Sequence, residues 1–137
     1  MFGLWNTSDA IQLAYPKENI PFVRTNNGIQ VDSTVYTLPE NEDELVTYSV
    51  YMGGDIGESV ITTNRPKLPN ILIYGDSFTN PLETLLWTQA NELQSIDFRY
   101  YTQCTLKDYI AEHKPDIVIC VRDETTFLSE AGNGITE

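Results

Sequence analysis

A short apolar run, Ile71–Tyr74, leads straight into Gly75, Asp76 and Ser77, and helix-spaced leucines follow from Pro81. A continuous apolar run of this length suits a strand buried on both faces. Leu82, Leu85, Leu86, Ala90 and Leu93 recur at helical spacing, so a helix is expected over residues 81–93. Pro81 sits in its first turn, where a missing N–H costs nothing. The alternation then repeats. Residues 95–101 read as a second strand, 105–113 as a second helix capped by Thr105 and stopped by Pro115, and 117–121 as a third strand. A β-α-β-α-β order implies parallel strands joined by right-handed crossovers, an α/β fold.

The chain before Pro66 differs in character. It is rich in Asn, Thr, Val and Tyr and holds two strand-like runs, residues 28–38 and 45–51, with an acidic, turn-like segment at 39–44 between them. Residues 1–27, interrupted by Pro16 and Pro21, carry weak signals. A chain of 137 residues fits one domain. The expected organisation is a β-rich segment over 1–66, a βαβαβ unit over 67–128 and a loose tail over 129–137.

The net charge of −12 argues against nucleic acid, whose phosphates need clustered Lys and Arg, and against docking on an anionic membrane surface. Acids at 39–44 without ligand spacing read as a solvated loop, and no metal or cofactor motif is visible. Cys104 and Cys120 show no CxxC spacing, and Cys120, inside an apolar run, reads as a small core residue. No stretch approaches the ~20 apolar residues of a membrane span, and Met1–Trp5 lacks the basic and apolar regions of a signal peptide.

Ligands of open α/β sheets bind at the carboxyl ends of the strands. Ser77 is therefore expected at that rim, near the start of a helix whose free N–H groups and dipole favour a developing oxyanion. A serine nucleophile needs this setting. Gly75 is expected to let the chain turn without a Cβ clash. The bland alternative is that Asp76 and Ser77 are ordinary helix caps.

With these blocks in order, the chain resembles the C-terminal part of the DHHW family, SGNH/GDSL-hydrolase-like proteins related to alginate O-acetyltransferases. Residues 48–55 resemble its aromatic-rich strand and Gly-Gly turn, and 61–64 its short link. Residues 71–78 resemble its nucleophile block, 96–101 its Asp-x-Arg-Tyr strand and 114–119 its last strand. The resemblance implies a three-layer SGNH-like (flavodoxin-like) parallel sheet, present in part. It also implies an ester hydrolase or O-acetyltransferase that uses Ser77 on an acylated cell-surface carbohydrate or small ester, without a cofactor. Asp76 would shape the turn. Arg99 would either face substrate or hold the site. An extracytoplasmic or membrane-tethered location is implied for the full-length protein.

The Asp-His-His-Trp segment that names the family, and that holds what look like the other triad members, has no counterpart here. Residues 121–123 also depart from the family's more usual aromatic residue and Asn. The only histidine, His113, ends a helix and precedes a strand, at the wrong edge of the sheet for Ser77. The chain is thus expected to be a fragment or a degenerate relative, nearly inactive by itself. The alternative function is a non-catalytic carbohydrate-binding or assembly module, with Tyr48, Tyr51, Trp5 and Trp87 lining a groove, or with exposed strand edges driving self-association.

Overall fold

The computed structural model describes residues 11–41 and 44–124. Val23–Asn26 (β1) and Ile29–Val31 (β2) form a hairpin. Its turn residues, Asn27 and Gly28, have φ of 49° and 78°. Positive φ at both positions is the geometry that follows the twist of the flanking strands, and Asn-Gly adopts it readily. The strand expected over 28–38 is therefore confined to β2. Beyond Val31 the chain is irregular, with an isolated bridge between Tyr36 and Tyr51, and it packs Val35 and Tyr36 into the core.

The strand expected over 45–51 is absent. Tyr48–Val50 is a 3-10 turn. Its amides bond locally, Val50 N–H to Thr47 O at 3.0 Å and Tyr51 N–H to Tyr48 O at 3.2 Å. Only Val50 of the alternating apolar residues is buried, while Leu45 is 87% exposed. Alternation without a neighbouring strand leaves nothing to pair with.

Glu58–Thr62 (β3), of which Ile61 and Thr62 fall in the expected 61–64 link, is an inner strand, antiparallel to β1 and to Glu92–Ile96 (β5). Asn70–Gly75 (β4) pairs in parallel with β5 on one side and with Ile117–Val121 (β6) on the other. The six-stranded order is β2-β1-β3-β5-β4-β6. The sheet is thus mixed rather than parallel, with the parallel strands confined to one end.

Ile71 and Ile73 of β4 pack with Trp87, Ala90 and Leu93, whereas Leu72 between them packs with Leu106 and Tyr109. The two helices, Thr79–Leu86 (α1) and Leu106–His113 (α2), therefore cover opposite faces of the parallel strands. Full burial of each such aliphatic side chain contributes roughly 1.5–3 kcal/mol.

The helix expected over 81–93 is shorter and lies the other way round. A tighter turn, Trp87–Gln89, follows α1, and Arg65 closes it by donating to the Thr88 carbonyl at 2.7 Å. Leu93 belongs to β5, and residues 97–101 are a turn rather than strand. Leu82 and Leu85 are exposed, while Thr79, Asn80, Glu83 and Thr84 are buried.

α2 forms as expected. The Thr105 hydroxyl accepts the Asp108 N–H at 3.1 Å, and Lys114 ends the helix in the left-handed conformation before Pro115. β6 also forms as expected, but Cys120 is exposed rather than in the core, because β6 is the outer strand among the described residues. Both cysteines are free thiols. The expected tail at 129–137 lies outside the described residues.

Candidate active site

Strand β4 delivers Gly75, Asp76 and Ser77 to its carboxyl end, in the order β5-β4-β6. The chain runs from β4 to β5 on one side and then on to β6 on the other, so the strand order reverses between β4 and β6, the kind of switch point at which open α/β sheets bind ligands. Ser77 follows the carboxyl end of β4 and precedes α1.

Gly75 is required for a reason other than the turn. A Cβ there would lie 1.7 Å from the Val121 carbonyl oxygen, so it is the close approach of β6 that excludes a side chain. Asp76 is 2% exposed. Its carboxylate accepts the Phe78 N–H at 3.0 Å and the Asp123 N–H at 2.8 Å, and its carbonyl accepts the Thr79 N–H at 2.9 Å. One side chain thus sets the entry to α1 and ties the ends of β4 and β6 together.

Ser77 is half-buried. Its carbonyl accepts the Asn80 N–H at 3.1 Å and the Tyr48 hydroxyl at 2.9 Å. Its own Oγ and N–H make no hydrogen bond among the described residues. Tyr48, contributed by the 3-10 turn, was not foreseen in this role. Its phenol is pushed above the ordinary range by burial first, then by Tyr51 and the carboxylates of Asp55, Asp76 and Glu83.

Arg99 lies at the same rim, just past β5. Its guanidinium bonds both oxygens of Asp97, with Nε 2.9 Å from Oδ1, and reaches Asp55 at 3.3 Å. The hydrogen bonds to Asp97 chiefly raise its pKa further. The other oxygen of Asp55 accepts the Asn80 amide at 3.4 Å. Arg99 is thus connected to α1 through Asp55, one carboxylate that the sequence reading missed.

Beneath α1 a small cavity is lined by Ser59, Thr79, Asn80, Glu83, Ser95 and Asp97. Glu83 Oε1 accepts the hydroxyls of Thr79 at 2.7 Å and Ser95 at 2.6 Å. Burial pushes the Glu83 carboxyl above its usual range. Arg24, 3% exposed on β1, donates to the Thr34 carbonyl at 2.8 Å and to the Met52 carbonyl, holding the Met52–Gly54 turn, whose three residues all have positive φ. These polar side chains explain the inverted face of α1: the sheet surface under it carries Ser59, Ser95 and Arg24.

His113 stacks on Tyr109 with ring centroids 4.0 Å apart and meets Gln94 at 3.0 Å. It precedes the Ile71–Ile117 level of the sheet, and Ser77 lies beyond the Gly75–Val121 level. About 13 Å of strand separates those levels, against a hydrogen-bond reach of about 3 Å. Trp87, which only the alternative carbohydrate-binding module would place in a groove, is a core residue, 3% exposed against Phe22; Trp5 lies outside the described residues. No group of three or more potential metal ligands occurs among the described residues, and none of the described helices is long and apolar enough to cross a membrane.

No protein-family model and no curated protein matches the chain. Among solved structures, the chain is similar to Bacillus cereus PatB1 with sulfonyl adduct, with a TM-score of 0.72 and 21% identity over 87% of this chain and 42% of that one. A second PatB1 structure gives 0.68 and 24% over 81% of this chain and 38% of the other. A DHHW family protein from Eubacterium siraeum gives 0.57 and 19% over 74% of this chain and 34% of the other. The chain spans less than half the length of each of these proteins, and at such identities the likeness establishes the mixed α/β fold.

Proposed function

We propose that the chain is an acyl-transfer module of SGNH/GDSL type, an ester hydrolase or O-acetyltransferase in which Ser77 is the nucleophile. The observation that carries this is the placement of a half-buried serine, its Oγ free of hydrogen bonds among the described residues, between β4 and α1 at the switch point. The sulfonyl adduct of PatB1 is the kind of bond a reactive nucleophile makes, which supports the same chemistry here. Ser77 Oγ would attack the acyl carbonyl and pass its proton to a base. The leaving alcohol would depart with a proton, and water or an acceptor hydroxyl would take the acyl group from Ser77. His113 is not that base, so the triad is incomplete among the described residues, and turnover by this chain is expected to be weak.

The remaining parts of the proposal are finer. The two helices on opposite faces belong to a three-layer SGNH-like sandwich. The substrate is an acylated carbohydrate or small ester, met at a cell surface by an exported or membrane-tethered protein. Arg99 holds the site through Asp55 and Asp97. A second reading, an assembly module, is favoured by β6, whose Ile117 and Val118 are exposed, and by the outward Phe78, Leu82 and Leu85 of the α1 region.

The test is release of acetate from a small acetyl ester, with imidazole as an external base. A Ser77-dependent rate that rises with imidazole above the imidazole-only background supports the proposal; an unchanged rate in Ser77→Ala overturns it. Carbohydrate binding that survives Ser77→Ala, without ester cleavage, would favour the non-catalytic module.

A further inference from the structure

Neither the Oγ nor the N–H of Ser77 makes a hydrogen bond among the described residues, so the direction of both is set by the peptides on either side. The peptide before Ser77 is held by its carbonyl, that of Asp76, which accepts the Thr79 N–H at 2.9 Å. The peptide after it is held at both ends. Its N–H, from Phe78, donates to the Asp76 carboxylate at 3.0 Å. Its carbonyl accepts the Asn80 N–H at 3.1 Å and the Tyr48 hydroxyl at 2.9 Å. Asp76 and Asn80 belong to the turn itself, whereas Tyr48 reaches it from 29 residues away.

Tyr48 is held firmly on its own side. Its turn is closed by the Val50 N–H on the Thr47 carbonyl and the Tyr51 N–H on the Tyr48 carbonyl. Val50 is buried, and the Tyr51 ring meets the Tyr48 ring edge-on, with centroids 5.5 Å apart. Beyond the turn, Thr37 N–H donates to the Val50 carbonyl and Met52 N–H to the Val35 carbonyl, both at 2.9 Å, and buried Arg24 donates to the Met52 carbonyl. Burial first, then Tyr51 and nearby carboxylates, push the Tyr48 phenol above the ordinary tyrosine range, so it keeps its proton and donates at neutral pH. Yet Tyr48 itself is 46% exposed, so its hydroxyl contact is not a by-product of core packing. Removing one exposed hydroxyl is expected to leave stability nearly unchanged.

We propose that Tyr48 is a positioning residue for Ser77: its hydroxyl fixes the Ser77–Phe78 peptide, and with it the direction from which Ser77 Oγ meets an acyl carbonyl. The role rests on the assignment of Ser77 as nucleophile. Tyr48 acts on the serine through one peptide group. Misplacing a reacting group by about 1 Å can cost about a hundredfold in rate. Without Tyr48 the Ser77 carbonyl still has the Asn80 N–H, so a partial loss is expected.

Tyr48→Phe removes the hydroxyl and keeps the ring against Tyr51. Phenylmethanesulfonyl fluoride, with imidazole as external base, reads the effect at Ser77: Oγ gains the sulfonyl group, its proton passes to imidazole and fluoride departs. The variant is expected to keep its melting temperature and to be sulfonylated about two- to tenfold more slowly, the range of one net hydrogen bond. Para-aminophenylalanine at position 48, which restores a donor on the ring, should recover the rate. The Ser77 carbonyl resonance of isotope-labelled protein should move in Tyr48→Phe. Sulfonylation of the unsubstituted protein that Tyr48→Phe leaves unchanged overturns the role of Tyr48 and keeps Ser77 as nucleophile. A carbonyl resonance that stays in place overturns it too, because the hydroxyl is then not bound to Ser77. A slower rate that comes with a lowered melting temperature, or that the amino group fails to recover, marks a structural tie and likewise overturns the proposal. No sulfonylation of Ser77 in the unsubstituted protein removes the nucleophile, and the positioning role falls with it.

Discussion

The carboxylate of Asp76 accepts the backbone N–H of Asp123 at 2.8 Å, joining the residue before Ser77 to the chain just beyond β6. The same carboxylate accepts the Phe78 N–H through its other oxygen. Asparagine in its place has one acceptor oxygen and would turn an NH₂ group towards one of these amides. Asp76→Asn is expected to cost about 1–3 kcal/mol, read by urea unfolding, and to slow acylation of Ser77 in parallel. Unchanged stability would mean that the two amides do not depend on the charge.

Gly75 provides a sharper steric test. An added methyl group would meet the Val121 carbonyl at 1.7 Å, which only a shift of β6 relieves. Gly75→Ala should destabilise the fold by at least about 1–3 kcal/mol, the usual cost of overpacking. Thermal melting checks it, and an unchanged melting temperature would show that β6 does not approach β4 so closely.

Glu83 links the buried network to pH. Burial raises its pKa in the folded state above the ordinary carboxyl range. A carboxyl shifted upward contributes stability that is fully present below its unfolded pKa and is lost as pH rises through the folded value. Glu83→Gln keeps an acceptor for Thr79 and Ser95 without an ionisable proton. The variant should therefore gain stability relative to the parent as pH rises above about 4.3, the ordinary glutamate value, measured by denaturant unfolding across pH. A pH-independent difference would place the ionisation of Glu83 outside the folding equilibrium.

The N-terminus of α2 depends on one hydroxyl, that of Thr105, which accepts the Asp108 N–H and donates to its carboxylate. Thr105→Ala should cost about 0.5–2 kcal/mol, with the loss seen as reduced amide protection at Asp108.

What could be read from the sequence was what local chemistry controls. β4, α2 and β6 follow from continuous apolar runs, a Thr cap and a stopping Pro. Asn27-Gly28 is also a local hairpin signal, yet the strand expected over 28–38 begins at Gly28, which belongs to the turn. β3 was missed because five alternating residues show little periodicity, although Val60, Ile61 and Thr62 are β-branched. The orientation of α1 could not be found locally: Leu82 and Leu85 point outward because Ser59, Ser95 and Arg24, far apart in the chain, line the surface beneath. The candidate site divides in the same way. Gly75, Asp76 and Ser77 are contiguous, and Arg99 was visible as part of an Asp-x-Arg-Tyr element. Tyr48 and Asp55 reach the site from 29 and 25 residues before the residues they bond, Ser77 and Asn80. No local pattern announces such contacts.

The central claim is that Ser77 is a nucleophile. The most direct measurement is mass spectrometry of the protein after exposure to phenylmethanesulfonyl fluoride with imidazole present, followed by peptide mapping. The account predicts one sulfonyl group, on Ser77, and none in Ser77→Ala. No adduct, or an adduct that persists when Ser77 is replaced, would contradict it.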